Sequence, residues 1–428
     1  MKRITLVGLA IVAVLALRAA ATEYVWQSTT DGMWTTSANW NPSTGYPNDP
    51  ADEATFPNLF LATNQTLTVT LPANAVTVGV LRVILASNTY LLAGGRLVMT
   101  NSVSTNALIY ATTPGANLPR IPAYVVIQSE LEIYQDTVIA MPQYNLVDGL
   151  QIAGPLHGQG MITRSMAAAP GGYCSIMNRA STYSGLLRAH SGYSTYVYNN
   201  ALSNAAGVAV SYNGSFGSYG VDTIRRITIN TAGQLSYSGG SAGNSYGDWF
   251  LNCTNAVFTA FAGRTLYGAL EGTGIVTFAG NTTITFLGAI RPGLGGVGSL
   301  TFVRGSGTPV LGSAASRAQL QIEISGSGGE PGVDHDYLKV QSLVAPLNLS
   351  NIVLHVTGTG GTTTNWFLEA PGTGTIGFVG TFFSVTNAPG LHSQVFYDSD
   401  NRRVGVVAIP EPALLLVWLA GLLCARRR

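Results

Sequence analysis

Between its two ends the chain alternates apolar and polar residues with a period of two, in short runs. Leu67, Val69 and Leu71 alternate with Thr68 and Thr70, and Ile284 and Phe286 with Thr283 and Thr285. Leu320, Ile322 and Ile324 alternate with Gln321 and Glu323, and Ile352, Leu354 and Val356 with Val353 and His355. Successive side chains on a strand point to opposite faces, so each run predicts a strand with one apolar and one mostly polar face. Gly, Asn, Ser or Pro follows nearly every run, as at Ala93-Gly94-Gly95, Gly158-Gln159-Gly160 and Gly272-Thr273-Gly274, which predicts turns there. No amphipathic helical pattern of three turns occurs in this region. The pattern predicts an all-β body.

Both ends break the alternation. Lys2 and Arg3 precede an apolar stretch from Ile4 to Leu17, and Ala19-Ala20-Ala21 supplies a small-x-small site. Residues 1–21 therefore read as a secretory signal peptide, cut by signal peptidase between Ala21 and Thr22. At the other end Pro410-Glu411-Pro412 is followed by an uncharged apolar run from Ala413 to Ala425 and then by Arg426-Arg427-Arg428. A helix over that run, at about 1.5 Å per residue, is roughly 20 Å long and falls short of the ~30 Å hydrocarbon core. It makes a marginal span that depends on snorkelling arginines and suits a temporary anchor. The three arginines are expected on the cytoplasmic side, which puts Pro410-Glu411-Pro412 at the outer surface of the inner membrane. A plain tail anchor without processing remains open.

Setting these ends aside changes the charge balance. Of 21 basic residues, Lys2, Arg3, Arg18 and Arg426 to Arg428 fall in the end segments, leaving 15; of 20 acidic residues only Glu411 does, leaving 19. The body is mildly acidic, with no basic stripe for nucleic acid. Charged residues make up only 10% of the chain, and 51 residues are glycine, a composition of strands and turns with neutral polar exteriors. Cys424 lies in the tail, so the body holds Cys174 and Cys253, which could form one disulfide in an oxidising compartment or remain two thiols.

A body of almost four hundred residues exceeds a usual sandwich, and it has no Pro-rich or Ser-rich linker. Uniform composition favours a single β-solenoid, each coil burying its face against its neighbours. The expected layout is a solenoid body over 22–290 with an N-terminal cap at 22–60, a C-terminal strand segment of the same body over 291–407, and a tail over 408–428.

The tail resembles the PEP-CTERM sorting signal, because motif, apolar run and basic cluster occur together and in that order. The resemblance implies an exosortase-type processing enzyme as partner and transient residence in the inner membrane. The mature N-terminus carries Trp26, Asp31-Gly32, Trp34, Asn39-Trp40, Pro47 and Asp52-x-Ala54-x-Phe56, then the strand Leu67 to Leu71 and Val78-Gly79-x-Leu81. Further on come Ile152-x-Gly154, Gly158-x-Gly160 and Thr182-Tyr183-Ser184-Gly185, and then Ile290-x-Pro292-Gly293, Gly298-x-Leu300-x-Phe302 and Asp336-Tyr337-Leu338-x-Val340. In this order the segments resemble exported proteins with autotransporter-associated β-strand repeats. That resemblance implies a right-handed parallel β-helix of the envelope or cell surface. It implies no activity.

Candidate chemistry is sparse. Trp26, Trp34 and Trp40 can be read as a cap over the first coil, whose strand edges would otherwise be open, or as a platform on which sugars stack. Gly243-x-Ser245-x-Gly247 has the spacing of a nucleophile elbow without the helix that motif needs. Gly293-x-Gly295-x-x-Gly298 and Gly372-x-Gly374-x-x-Gly377 have dinucleotide spacing and lack the helix that would hold a pyrophosphate, so they read as turns. His157, His190, His335, His355 and His392 are scattered. Asp334 and Asp336, after Glu330, are the weak candidates for Ca²⁺, against a loop-bracing role. The acidic run Asp49 to Glu53 reads as a turn after the tryptophans.

Two function classes follow. The first is a non-enzymatic surface or matrix protein with a structural or adhesive role, with no cofactor and with extracellular polysaccharide as a partner. The second is a polysaccharide-binding or polysaccharide-degrading β-helix protein. Degradation needs carboxylates clustered along one face, and the sequence shows no such row.

Overall fold

The structure, a computed structural model, describes residues 21–410 except for the stretches 60–64, 85–87, 113–124, 142–148, 166–173, 191–193, 199, 212–214, 220–222, 231–233, 238–242, 261–262, 281–282, 294, 327–328, 342–345, 362 and 372–376. The predicted signal peptide up to Ala20 and the tail from Glu411, with its predicted helix, lie outside the described residues. Among the described residues the protein is all-β, built on long parallel sheets, and its only helical segments are the single 3-10 turns Ser37–Asn39 and Leu349–Asn351. No helix among them is long and apolar enough to cross a membrane.

The strands fall into three parallel sets. The first runs from Glu23–Trp26 through Glu53–Phe56 and Val80–Ile84 to Ile352–Gly358 and Ser384–Asn387. The second runs from Gly32–Met33 through Thr66–Thr70 and Thr89–Ala93 to Tyr337–Gln341 and Asn365–Glu369. These two sets share one sheet, because the long strands Asp248–Ala260 and Leu270–Ala279 take part in both. The third set is shorter. Ala75–Val78, Arg96–Met99, Glu130–Ile133 and Leu156–Gly158 form one sheet, and Gly243–Ser245, Arg264–Leu266, Thr283–Phe286 and Thr308–Leu311 another. The chain visits the sets in turn and returns to the same register position after an interval that ranges from 19 residues (Val208 to Ile227) to 38 (Leu300 to Leu338).

Parallel pairing in register converts each strand's alternation into ladders of like residues. In the first set Ile162, Leu187, Val208, Ile227, Trp249, Leu270, Ile290, Leu320 and Leu354 stand one above another. Each is at most 1% exposed. Full burial of such a side chain contributes about 1.5–3 kcal/mol, so the ladder is a main source of stability. In the C-terminal half aromatic rings pack together in the second set: Phe278 lies 5.7 Å from Phe258 and 5.2 Å from Phe302 between ring centroids. One inward position breaks the pattern, since Arg164 pairs in register with Ile139 and Ala189 and is only 1% exposed.

The same register settles the cysteines. Cys174 is followed across the sheet by Thr195, Phe216, Leu235 and Phe258, so the strand that carries Cys253 lies four steps away. At about 4.8 Å per step that is roughly 19 Å, far beyond the ~4.4–6.8 Å Cα separation of a disulfide. Of the two alternatives the structure has the thiol: Cys174 is free and buried, and burial pushes its pKa up.

Both ends of the stack are finished differently from its middle. At the N-terminal end Trp40–Asn41 pairs antiparallel with Trp26 and Val25 on the outer edge of the first strand. Trp26, Trp34 and Trp40 are completely buried, with Trp40 5.0 Å from each of the other two rings and 5.5 Å from Phe56. Each indole N–H finds a carbonyl: Trp26 on Ser28, Trp34 on Pro47 and Trp40 on Trp34. At the other end an antiparallel hairpin, Leu391–Asp398 with Arg403–Pro410, lies against Asn365–Glu369. No break falls at 290/291, since the strand Ala289–Pro292 crosses it, and the last strand continues to Pro410 rather than ending at 407.

Trp40→Ala empties the centre of the aromatic cluster and should cost about 3–5 kcal/mol. Because neighbouring strands share stability, the loss should open the N-terminal strands first. Thermal melting with hydrogen exchange checks this, and uniform loss of protection along the chain would contradict it.

Candidate functional site

In the third set, Arg96–Met99, Glu130–Ile133 and Leu156–Gly158 lie side by side. Leu97, Leu131 and Leu156 share one register row and are fully buried, so the residues on either side of them face outward. Arg96 then stands beside Glu130, and Val98, Glu132 and His157 form the next outward row. Arg96 bridges both carboxylates, with Nε 3.1 Å from Glu130 and Nη1 3.1 Å from Glu132. The two acids differ in exposure, at 42% for the Glu130 side chain and 10% for that of Glu132. Just past the strand, Tyr134 is 57% exposed and hydrogen bonds Glu132 through its hydroxyl, which raises the phenol pKa. His157 Nδ1 lies 2.7 Å from Thr182 Oγ1. Together with Gly158 these residues line an open groove of about 460 Å³.

The glycine and tyrosine motifs shape this corner. Gly158 has φ +99°, and a Cβ there would stand 2.1 Å from the Ile133 carbonyl oxygen, so only glycine lets the strand turn against its neighbour. A Cβ on Gly160 would meet the Gln135 carbonyl at 2.4 Å. Tyr183 is buried; its hydroxyl donates to Gly160 O at 2.8 Å and accepts the Ile162 N–H at 3.2 Å. The Ser184 N–H donates to Gly158 O at 2.9 Å. Gly158, Gly160, Tyr183 and Ser184 thus form a tightly hydrogen-bonded corner that puts His157 and Thr182 at the groove.

A smaller cleft of about 190 Å³ lies on the outward face of the first set. Register places Glu271, Arg291, Gln321 and His355 in one row. Arg291 Nη1 is 3.6 Å from Glu271, and its Nε donates to Gln321 at 2.6 Å. Asp336 also lines this cleft, but its oxygens are engaged. Oδ1 accepts the Gly298 N–H at 2.9 Å and Oδ2 the Glu323 N–H at 2.8 Å. Asp334 accepts the Glu330 N–H at 3.0 Å. Both aspartates brace loops, and no group of three or more His, Cys, Asp or Glu suited to a metal ion occurs among the described residues.

The remaining sequence candidates are dispersed. The three tryptophan rings have no exposed face, so they offer no sugar-stacking surface. Ser245 is fully buried and accepts the Trp249 indole N–H at 3.2 Å, and a strand follows it where an elbow needs a helix. Gly293 to Gly298 likewise lead into the strand Ser299–Arg304, while Gly372 and Gly374 lie outside the described residues. His335 is buried with Nε2 3.1 Å from Trp366 O, and burial lowers its pKa. His355 meets Thr386, and His190 and His392 lie on separate strands. Asp52 and Asp49 accept backbone N–H groups from Asn48, Asp49 and Ala51 and fold their own turn. Pro410 ends the last strand; Glu411, Pro412 and Arg426 to Arg428 lie outside the described residues, and Ala21 and Thr22 precede the first strand. Sequence reasoning missed Arg96, Glu130, Glu132 and Tyr134. The i, i+2, i+4 spacing of the last three was a visible sign of a shared face.

Comparison with family models, with curated proteins and with solved structures finds no match.

Burial pushes the Asp336 carboxyl up to about 7, against the pull of its two backbone N–H donors. The folded value lies above the unfolded value of about 3.9, so the native state takes up a proton more readily. The stability that this group contributes is therefore fully present below about pH 4 and is lost as pH rises through about 7. The melting advantage of the wild type over Asp336→Asn should widen between about pH 8 and about pH 5; a gap that stays constant or narrows contradicts the assignment.

Proposed function

We propose that this chain is an exported, non-catalytic structural or adhesive protein of the cell surface or extracellular matrix. It is built as a right-handed parallel β-helix and sorted through a PEP-CTERM-like tail that an exosortase-type enzyme processes. The observation that carries the reading is the junction at Pro410. This residue closes the last strand of the body, and Glu411-Pro412, the apolar run and Arg426 to Arg428 follow without an intervening linker.

Physical arguments support each part. Three parallel sets visited in turn are the connectivity of a solenoid, and right-handed crossovers between parallel strands are the rule. At about 4.8 Å per step the first set is on the order of 65 Å long, a rod that gives reach and lateral contact area. Aromatic capping at Trp26, Trp34 and Trp40 and the C-terminal hairpin cover edges that would otherwise pair with other chains. The neutral polar exterior fits a protein among hydrated polysaccharide rather than one that grips polyanions.

Two outcomes are expected. Sequencing of protein from the envelope or medium should give an N-terminus near Thr22, and an intact Met1 species confined to the cytoplasm would refute export. Replacing Pro410, Glu411 and Pro412 together with alanine should leave a longer form in the inner membrane, because proline fixes an extended backbone that a processing enzyme can recognise. Normal trimming and localisation of that variant would refute the sorting role while leaving export untouched.

A further inference from the structure

We infer that the groove lined by Arg96, Glu130, Glu132, Tyr134, His157 and Thr182 is a binding site for a neutral saccharide. This inference stands independently of the sorting tail. It starts from Tyr134, at 57% the most exposed aromatic ring among the described residues. Its hydroxyl interacts with Glu132 and both residues line the groove, so an apolar ring face and a carboxylate are offered side by side. A flat ring beside polar groups suits the apolar face of a pyranose.

The polar groups around the ring are held by ion pairs and a hydrogen bond. Arg96 holds Glu130 and Glu132 at 3.1 Å each, so neither carboxylate is an uncompensated charge. At 42% exposure Glu130 keeps acceptor capacity, and the 46% exposed Arg96 keeps donors beyond the two in use. His157 uses Nδ1 on Thr182, while Nε2 has no partner among the described residues. Sugar hydroxyls donate and accept, and a carboxylate, a guanidinium and an imidazole within one groove serve both needs. The volume of about 460 Å³ lies within the roughly 300–1,000 Å³ of small-ligand sites.

Charge sets the class of sugar. Two carboxylates against one arginine leave the groove net negative, and close like charges repel, so a uronic acid is disfavoured. The second cleft, beside Gly293, offers no comparable site, because Asp336 already spends both oxygens on backbone donors.

The test is titration calorimetry of the full chain with cellobiose and lactose as neutral probes and digalacturonate as the acidic one. At least one neutral disaccharide should bind when present at about 10 mM, and digalacturonate should bind about tenfold more weakly or not at all. Tyr134→Ala should weaken neutral binding by about tenfold or more with unchanged melting, since the ring stands in solvent. Glu130→Gln, at a second exposed position, should weaken it independently. Absence of binding by both neutral disaccharides, tighter binding of digalacturonate, or undiminished affinity in both variants would each overturn the inference. Release of monosaccharide would overturn it in favour of a hydrolase.

Discussion

Each strand of this protein depends on the strands before and after it for two things at once: partners for its backbone and cover for its inward side chains. Neither can be had from within a single strand, because a strand a few residues long buries little and leaves its N–H and C=O groups open. In-register parallel pairing supplies both. The ladder from Ile162 to Leu354 shows the result, a continuous apolar column to which every turn of the chain adds one residue. The ends are where this arrangement lacks a neighbour, and both carry something different. Three buried tryptophans and an antiparallel strand meet the first, and an antiparallel hairpin the last.

The constraint that builds the core also builds the outside. Register that stacks leucine on leucine inward stacks Arg96 beside Glu130, and Glu271 beside Arg291, outward. Charged groups 34 and 20 residues apart in sequence thereby come within ion-pair distance without any loop to bring them there. Exposed pairs of this kind add little stability, at most about 1 kcal/mol each. Their value lies in where they hold side chains, as the bridging of Glu130 and Glu132 by one arginine illustrates.

Much of the architecture was legible in the sequence because it is written with a period of two. Leu67 to Thr70, Thr283 to Phe286, Leu320 to Ile324 and Ile352 to Val356 all fall in strands, with the expected faces buried. The all-β class follows from those runs and from the glycines between them. The candidate groove was not legible, because two of its contributors, Arg96 and His157, reach it only through register between strands, which alternation along one strand does not encode. Arg164 was hidden for another reason. Its place on the inward face of Ile162–Ser165 contradicts its chemistry, and only the alignment with Ile139 and Ala189 reveals it. The choice between a disulfide and two thiols was not legible either, since spacing in sequence says nothing about how many strands intervene.

Successive passes through the first set differ in length by fifteen residues between the shortest, Val208 to Ile227, and the longest, Leu320 to Leu354, yet both keep neighbours in register. The longer pass also takes in the short strand Leu347–Asn348, and the ladder is undisturbed. Such a scaffold separates two kinds of change in its gene. Gains and losses of whole segments at the corners alter the outline of the molecule while its interior stays the same, whereas shifting a strand by a single codon would turn its apolar face outward. Lineages carrying this chain can therefore drift widely in loop length and remain conservative in the spacing within strands.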